Sequence, residues 1–180
     1  MYTATDIKKE FAKISSILLL TGLSYSQELG DIYFGDNFSL DIATWNIEWF
    51  PKNGQTTSNH VSDIIRNLDL DIIAIQEVDD TVMFDLMVDD LQDYSGYYES
   101  AWFAGLAYIY KTSSIEINDI YEIYTTSSYW NAFPRSPMVM DINFMGDNYF
   151  LINNHLKCCG EMVRLTLAML LMKRTGGSLR

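Results

Sequence analysis

The sequence predicts an α/β protein with one folded domain. Three observations support this: strand and helix patterns alternate through the first half of the chain, the second half is rich in strands, and 48% of the residues are apolar and 14% aromatic. A chain of 180 residues is long enough to bury one substantial core. Alternating strands and helices are typical of domains in which helices cover a sheet.

The first strand and helix patterns follow each other closely. Leu40 to Phe50 is rich in β-formers and stops before Pro51, which predicts a strand that leads into a loop. Ser58 or Asn59 is then expected to cap a short amphipathic helix. The apolar residues of this helix follow the i, i+3, i+4, i+7 spacing: Val61, Ile64, Ile65 and Leu68.

The next two elements are a buried strand and an acidic helix. The run from Asp71 to Ile75 is almost continuously apolar, as in strands that are buried on both faces, and Gln76 and Glu77 follow it directly. From Asp79 to Asp93, acidic and apolar residues interleave at helical spacing. We interpret these acids as a solvated helix face rather than a metal-binding cluster.

The second half of the chain is dominated by strand patterns. Two successive strands are predicted at Leu106 to Lys111 and Ile115 to Ile123, followed by a polar and aromatic loop from Thr125 to Pro134. A hairpin is predicted between Met138 to Phe144 and Tyr149 to Leu156. After Gly160 the pattern predicts a helix over residues 161–172, too short to cross a membrane.

The charge of the chain limits the classes of function. The formal net charge is -12 and the isoelectric point is near 4.3, so the average surface repels phosphate polymers. A general nucleic-acid coat protein is therefore not expected. An enzyme that binds a divalent cation is compatible with this charge, because the ion reverses the local field where the substrate binds.

The N-terminal region has the pattern of a secretory signal. Three lysines precede an apolar stretch from Ile14 to Leu23, and small residues follow it. We therefore expect a signal peptide at residues 1–26, a linker at 27–39, the folded domain at 40–180, and a secreted or periplasmic protein. An amphipathic helix belonging to the domain is the alternative. Cys158 and Cys159 either form a vicinal disulfide or pack as small apolar residues.

Three segments place polar residues at the ends of predicted strands, where α/β proteins build their sites. They are Ile42 to Phe50 with Asn46, Ile73 to Val78 with Glu77, and Leu151 to Lys157 with His155. Each has a structural alternative: Asn46 satisfying backbone groups, Glu77 capping a helix, or His155 as a hydrogen-bonded core imidazole.

Taken in order, these segments resemble the endonuclease/exonuclease/phosphatase superfamily. The resemblance runs from about Leu40 to Gly160 and also includes a Tyr-Lys strand end at Tyr110 and an Arg-Ser-Pro at Arg135. It implies a four-layer α-β-β-α sandwich of DNase I-like type, incomplete at the C-terminus. It also implies a metal-dependent phosphodiester hydrolase. A shared His-Leu-Lys-Cys-Cys-Gly segment narrows the resemblance to secreted nuclease-like members.

The resemblance also implies roles for individual residues. The candidate catalytic residues are His155, Asn46 and Glu77, with Glu77 and Asn46 beside a divalent cation, usually Mg²⁺ but alternatively Mn²⁺ or Ca²⁺. His155 would stabilise charge that develops in the transition state. Arg135 would bind the substrate phosphate. Asn153 is a supporting phosphate-binding candidate, because strand alternation puts it on the face that His155 shares.

Two later motifs of the family, a Gly-Asp-x-Asn and a terminal Asp-His, do not occur in this sequence. The expectation is a partial domain, weakly active or inactive by itself. The leading hypothesis is an extracellular endonuclease acting on nucleic acid or another phosphodiester, without a stable membrane span. The alternatives are a sphingomyelinase-like lipid phosphodiesterase, for which the aromatic Tyr129 to Phe133 tract could contact membranes, and a non-catalytic binding remnant.

Overall fold

The computed structural model describes residues 29–98, 104–156 and 169–174, and these form two four-stranded sheets and two α-helices. The predicted signal peptide at residues 1–26 lies outside the described residues, as do Cys158 and Cys159. Within the described ranges, no helix is long and apolar enough to span a membrane.

The first sheet has the strand order β1-β2-β4-β3. β1 and β2 are parallel, and the other neighbours are antiparallel. Parallel neighbours need a crossover connection, which helix α1 provides between β1 and β2, and helix α2 connects β2 to β3. The bounds of these elements are β1 Ile42–Phe50, α1 Gln55–Leu68, β2 Ile72–Val78, α2 Thr81–Asp89, β3 Tyr94–Tyr98 and β4 Gly105–Lys111.

Helix α1 begins earlier than the sequence predicted. It starts after Gly54, which takes a φ of 58°, and no side chain caps it by hydrogen bonding, so the prediction of a Ser58 or Asn59 cap was wrong. Ser58 instead faces the interior with 3% exposure. Glycine adopts a positive φ without steric cost, so the backbone turns here without a capping side chain.

Part of the predicted linker contacts the end of α1. The backbone N–H groups of Phe34 and Gly35 both donate to the carbonyl of Leu68. A Cβ on Gly35 would lie 1.9 Å from the carbonyl oxygen of Asp69, so only glycine allows this close approach.

The second sheet has the order β5-β6-β7-β8, and all its neighbours are antiparallel. The predicted hairpin is confirmed as β6 and β7, joined by Met145 and Gly146, whose φ values are 51° and 86°. Two positive φ values in a two-residue loop are the requirement of a type I′ hairpin. The strands are β5 Glu116–Glu122, β6 Met138–Phe144, β7 Asp147–Asn153 and β8 Met169–Lys173.

Two strands were not anticipated from the sequence. β3 was not predicted, and the helix predicted over residues 161–172 was wrong for its last four residues, 169–172, which belong to β8 along the edge of β7. Leucine and methionine favour helices in isolation, but intrinsic propensity is a weak effect that pairing with an available strand edge overrides.

The prediction that β2 is buried on both faces is confirmed. Ile73 and Ile75 pack in the core under helices α1 and α2, whereas Ile72 and Ala74 pack against the second sheet. The described residues therefore form three layers in the order helices, first sheet and second sheet. These correspond to three layers of a DNase I-like α-β-β-α sandwich. The predicted fold class is confirmed for this part of the fold.

Candidate active site

The end of β1 is irregular. Between Asn46 and Phe50 the strand leaves its regular pairing with β2. Glu48 and Trp49 there have φ values of 42° and 55°, a region that is unusual for residues other than glycine and an outlier for a bulky side chain. The backbone N–H of Glu48 donates to Oδ1 of Asn46 at 2.8 Å, so the irregular segment holds the Asn46 amide in place.

The neighbouring end of β2 carries a bulge at Glu77. The pairing of β2 with β4 shifts between Gln76 and Val78, and Glu77 has a φ of 68°. A bulged residue leaves the regular alternation of the strand, and bulges commonly redirect a side chain beside an active site. The two irregular strand ends are adjacent because β1 and β2 are parallel neighbours.

The Glu77 carboxylate is the centre of the site. Nδ2 of Asn46 donates to its Oε1 at 2.8 Å, and the backbone N–H of Trp49 donates to its Oε2 at 3.2 Å. Hydrogen bonds to an ionised carboxylate are stronger than those between neutral groups. The ends of β1 and β2 therefore fix both oxygens of the carboxylate.

His155 reaches this carboxylate from the second sheet. It lies two residues beyond the end of β7, and its Nε2 is 3.4 Å from Oε1 of Glu77. Both side chains are only partly accessible, at 16% for His155 and 15% for Glu77. Nδ1 of His155 is buried and has no hydrogen-bond partner among the described residues.

The environment of His155 favours the neutral imidazole. Burial lowers the pKa of His155 below its ordinary value of 6.5, the positive charge of Arg135 lowers it further, and Glu77 acts in the opposite direction. Desolvation and a nearby like charge both disfavour the imidazolium. At neutral pH this imidazole is therefore uncharged and can act as a hydrogen-bond donor or a proton acceptor.

The structure places the five predicted site residues in three settings. Asn46, Glu77 and His155 contact one another directly or through Glu77. Arg135 lies close enough to influence His155, and its Nε donates to the carbonyl of Ala104 at 3.0 Å. Asn153 is fully buried between the sheets, where its amide contacts protein groups rather than the surface.

Gln76 joins the site to the core, although no sequence pattern predicted a role for it. Its side chain is 3% exposed, and its Nε2 donates to Oδ1 of Asn153 at 2.8 Å. Gln76 follows Ile72 and Ala74 at every second position of β2, so strand alternation puts all three on one face. A polar residue on this core-facing side was the sequence signal that could have identified it.

The donors at the site fit a hard divalent cation. Within the described ranges, no group of three or more histidine, cysteine, aspartate or glutamate side chains could hold a metal ion. Glu77 and Asn46 nevertheless place one carboxylate and one amide together. Mg²⁺ prefers oxygen ligands, retains several waters and often binds through one or two carboxylates, so this pair fits part of its coordination shell.

The fold resembles those of several solved structures. D. rerio TDP2 complexed with single strand DNA product has a TM-score of 0.57 and 17% identity, over 67% of this chain and 47% of that chain. Truncated Caenorhabditis elegans TDP2 has a TM-score of 0.54 and 24% identity, over 68% and 48%. An endonuclease/exonuclease/phosphatase family protein from Leptotrichia buccalis has a TM-score of 0.50 and 18% identity, over 66% and 54%.

This chain spans about half the length of each of these structures. The curated proteins contain no significant match to the sequence. The model of the endonuclease/exonuclease/phosphatase family matches residues 43–150, a range that contains Asn46, Glu77 and Arg135. The chain therefore belongs to the endonuclease/exonuclease/phosphatase family.

Proposed function

We propose that this chain carries the metal- and phosphate-binding part of a divalent-cation-dependent phosphodiester hydrolase that acts on nucleic acid outside the cell. The observation that carries the proposal is the cluster of Asn46, Glu77 and His155 where the two sheets meet. Family membership supports a phosphoester substrate. The predicted leader at residues 1–26 supports an extracellular location.

We assign each residue a role that its contacts support. Glu77 and Asn46 would hold the cation, which when bound supplies positive charge to the scissile phosphate. His155 lies against Glu77 and would donate a hydrogen bond to a phosphate or leaving-group oxygen. The positive charge of Arg135 lowers the pKa of His155. Arg135 would bind a further phosphate oxygen, since its guanidinium matches phosphate geometry.

Nucleic acid is the favoured substrate class because a site with bound cation and Arg135 can attract a phosphate despite the net charge of -12. A solved relative in fold, D. rerio TDP2, has been determined with a single strand DNA product. Extracellular phosphodiester polymers are the corresponding substrates for a secreted enzyme.

The direct test measures cation binding and hydrolysis by the 180-residue chain. Titration with Mg²⁺ or Mn²⁺ should show one binding event that Glu77→Gln abolishes. Glu48→Gln is the matched control, because Glu48 is a nearby carboxylate that pairs with Lys52 on the surface. Any cleavage of plasmid DNA, which is expected to be weak in this partial domain, should require the cation. Unchanged cation binding in Glu77→Gln would refute the assigned metal site.

A lipid phosphodiester is the second candidate substrate, favoured by an exposed aromatic cluster. The ring of Tyr124 lies 4.8 Å from that of Tyr129 and stacks on that of Phe133 at 5.1 Å. Trp130 beside them is 61% exposed. Aromatic rings with a polar edge suit a membrane interface. Comparing the cleavage of sphingomyelin vesicles with that of plasmid DNA separates the two substrates.

A further inference from the structure

A buried amide pair connects the two sheets directly behind the candidate active site. Gln76 on β2 is 3% exposed and Asn153 on β7 is 0% exposed. Nε2 of Gln76 donates to Oδ1 of Asn153 at 2.8 Å. Such a hydrogen bond between side chains 77 positions apart in the sequence exists only in the folded protein.

The pair is anchored on both sides. Nδ2 of Asn153 donates to the carbonyls of Ile75 at 2.9 Å and Ala107 at 3.0 Å, which belong to β2 and β4 of the first sheet. Nε2 of Gln76 is also 3.0 Å from Oγ1 of Thr44 on β1. The end of β7 is therefore hydrogen-bonded to β2, the strand that carries Glu77, and to its neighbour β4.

The pair occupies a place where apolar residues would suffice. Ile72 and Ala74 precede Gln76 on the same face of β2 and pack against the second sheet. A buried polar group is costly unless its partners are in place, so such a pair tolerates only one relative position of its two strands. Shifting β7 by one residue would turn Asn153 to the opposite face and break all of these contacts.

The pair is adjacent in sequence to both residues of the site. Gln76 directly precedes Glu77, and Asn153 is two residues before His155. We propose that Gln76 and Asn153 are positioning residues that set the relative placement of Glu77 and His155 across the two sheets. This inference rests on the proposed function for its catalytic consequence, because the placement affects catalysis only if the cation held by Glu77 and the imidazole of His155 act on the same phosphate.

The first test follows His155 directly by NMR. The chain has two histidines, so the imidazole resonances of His155 and the exposed His60 can be resolved in one histidine-labelled sample. Gln76→Met keeps the length of the side chain and removes the hydrogen bond. At pH 8 the resonances of His155 should move and those of His60 should stay.

The control removes a hydrogen bond at the other end of β2. Ser114 donates to Oδ1 of Asp71 at 2.5 Å, so Ser114→Ala weakens the fold without touching the pair. It should leave both histidines unchanged. If Gln76→Met does not fold, Thr44→Val replaces it, because Thr44 is exposed on β1 and holds the Gln76 amide. If Gln76→Met folds and its His155 resonances do not shift, the proposal is overturned. If Thr44→Val is used in its place, unshifted His155 resonances overturn the proposal in the same way.

The second test separates positioning from general stability through kinetics. Gln76→Met should lower kcat about 10-fold to 100-fold while KM changes little, since a displacement of about 1 Å can cost 10²-fold. In a His155→Asn background the same substitution should have almost no further effect, because Gln76 acts through His155. Additive losses in the double variant would contradict the inference. Wild-type protein that binds neither Mg²⁺ nor Mn²⁺ would refute the proposed function, whereas the NMR result stands independently.

Discussion

The two sheets of this protein differ in how completely they are covered. β2, inside the first sheet, has six of its seven residues buried, because helices lie on one face and the second sheet on the other. β6, inside the second sheet, is buried to the same extent, but its residues in the apolar core, Met138, Met140 and Ile142, all lie on the face toward the first sheet. Among the described residues, only the first sheet therefore has an apolar core on both faces.

This difference explains how the site is built. Glu77 is held by local features of the covered sheet, namely a bulge and the backbone of the adjacent strand. His155 comes from the less covered sheet, and its position depends on contacts that cross between the sheets. One half of the site is therefore set by neighbouring strands, and the other half by the packing of two layers.

The largest effect on stability is expected in the core of the first sheet. Phe84 on α2 is 0% exposed and lies edge-on to the ring of Tyr98 at 5.8 Å. Phe84→Ala should lower the free energy of unfolding by about 3–5 kcal/mol, because it leaves a cavity. The matched change Leu171→Ala on β8, where the residue is 43% exposed, should cost less than about 1 kcal/mol. Urea denaturation measures both, and equal losses would contradict the comparison of the sheets.

The next effect concerns catalysis from the second sheet. His155→Asn should lower kcat for phosphodiester cleavage by about 10²–10⁴-fold, since the imidazole contributes proton transfer or transition-state stabilisation. The exposed His60 on α1 provides the control, and His60→Asn should keep the wild-type rate. If His155→Asn were as active as His60→Asn, His155 would have no catalytic role.

A smaller loss is expected from the helix cover of the first sheet. The side chain of Asp80 accepts a hydrogen bond from the backbone N–H of Met83 at 3.0 Å and so caps α2. Asp80→Ala should lower the free energy of unfolding by about 1 kcal/mol. Asp79→Ala, which changes the exposed neighbour, should cost clearly less. Thermal denaturation at pH 7 compares the two, and equal shifts of Tm would argue against the cap.

The smallest effect is a dependence of stability on pH. The pKa of His155 is lower in the folded protein than its ordinary value of 6.5, so the unfolded chain binds this proton more readily. The stabilisation is complete above pH 6.5 and is lost as the pH falls from there toward the folded pKa. In metal-free buffer, His155→Asn should show a weaker decrease in the urea midpoint between pH 8 and 5.5 than wild type. Identical pH profiles would contradict the assigned environment.

Local sequence patterns were sufficient for much of the fold. The buried strand β2 was predicted from its uninterrupted apolar run, and the hairpin of β6 and β7 from strand patterns around a glycine-containing turn. Both predictions succeed because burial and turn geometry depend on residues that are close in sequence. The strands β3 and β8 escaped prediction because each is formed by pairing with a strand edge that another part of the chain supplies.

The same division holds for the site. The sequence by itself determined which strand ends carry Asn46, Glu77 and His155, because polar residues directly after or within buried runs are conspicuous. Only the tertiary structure decided that Asn153 points between the sheets and that Gln76 meets it there. The physical reason is that a strand pattern specifies two faces but not what lies opposite each, and here the opposite surface is a second sheet from a distant part of the chain.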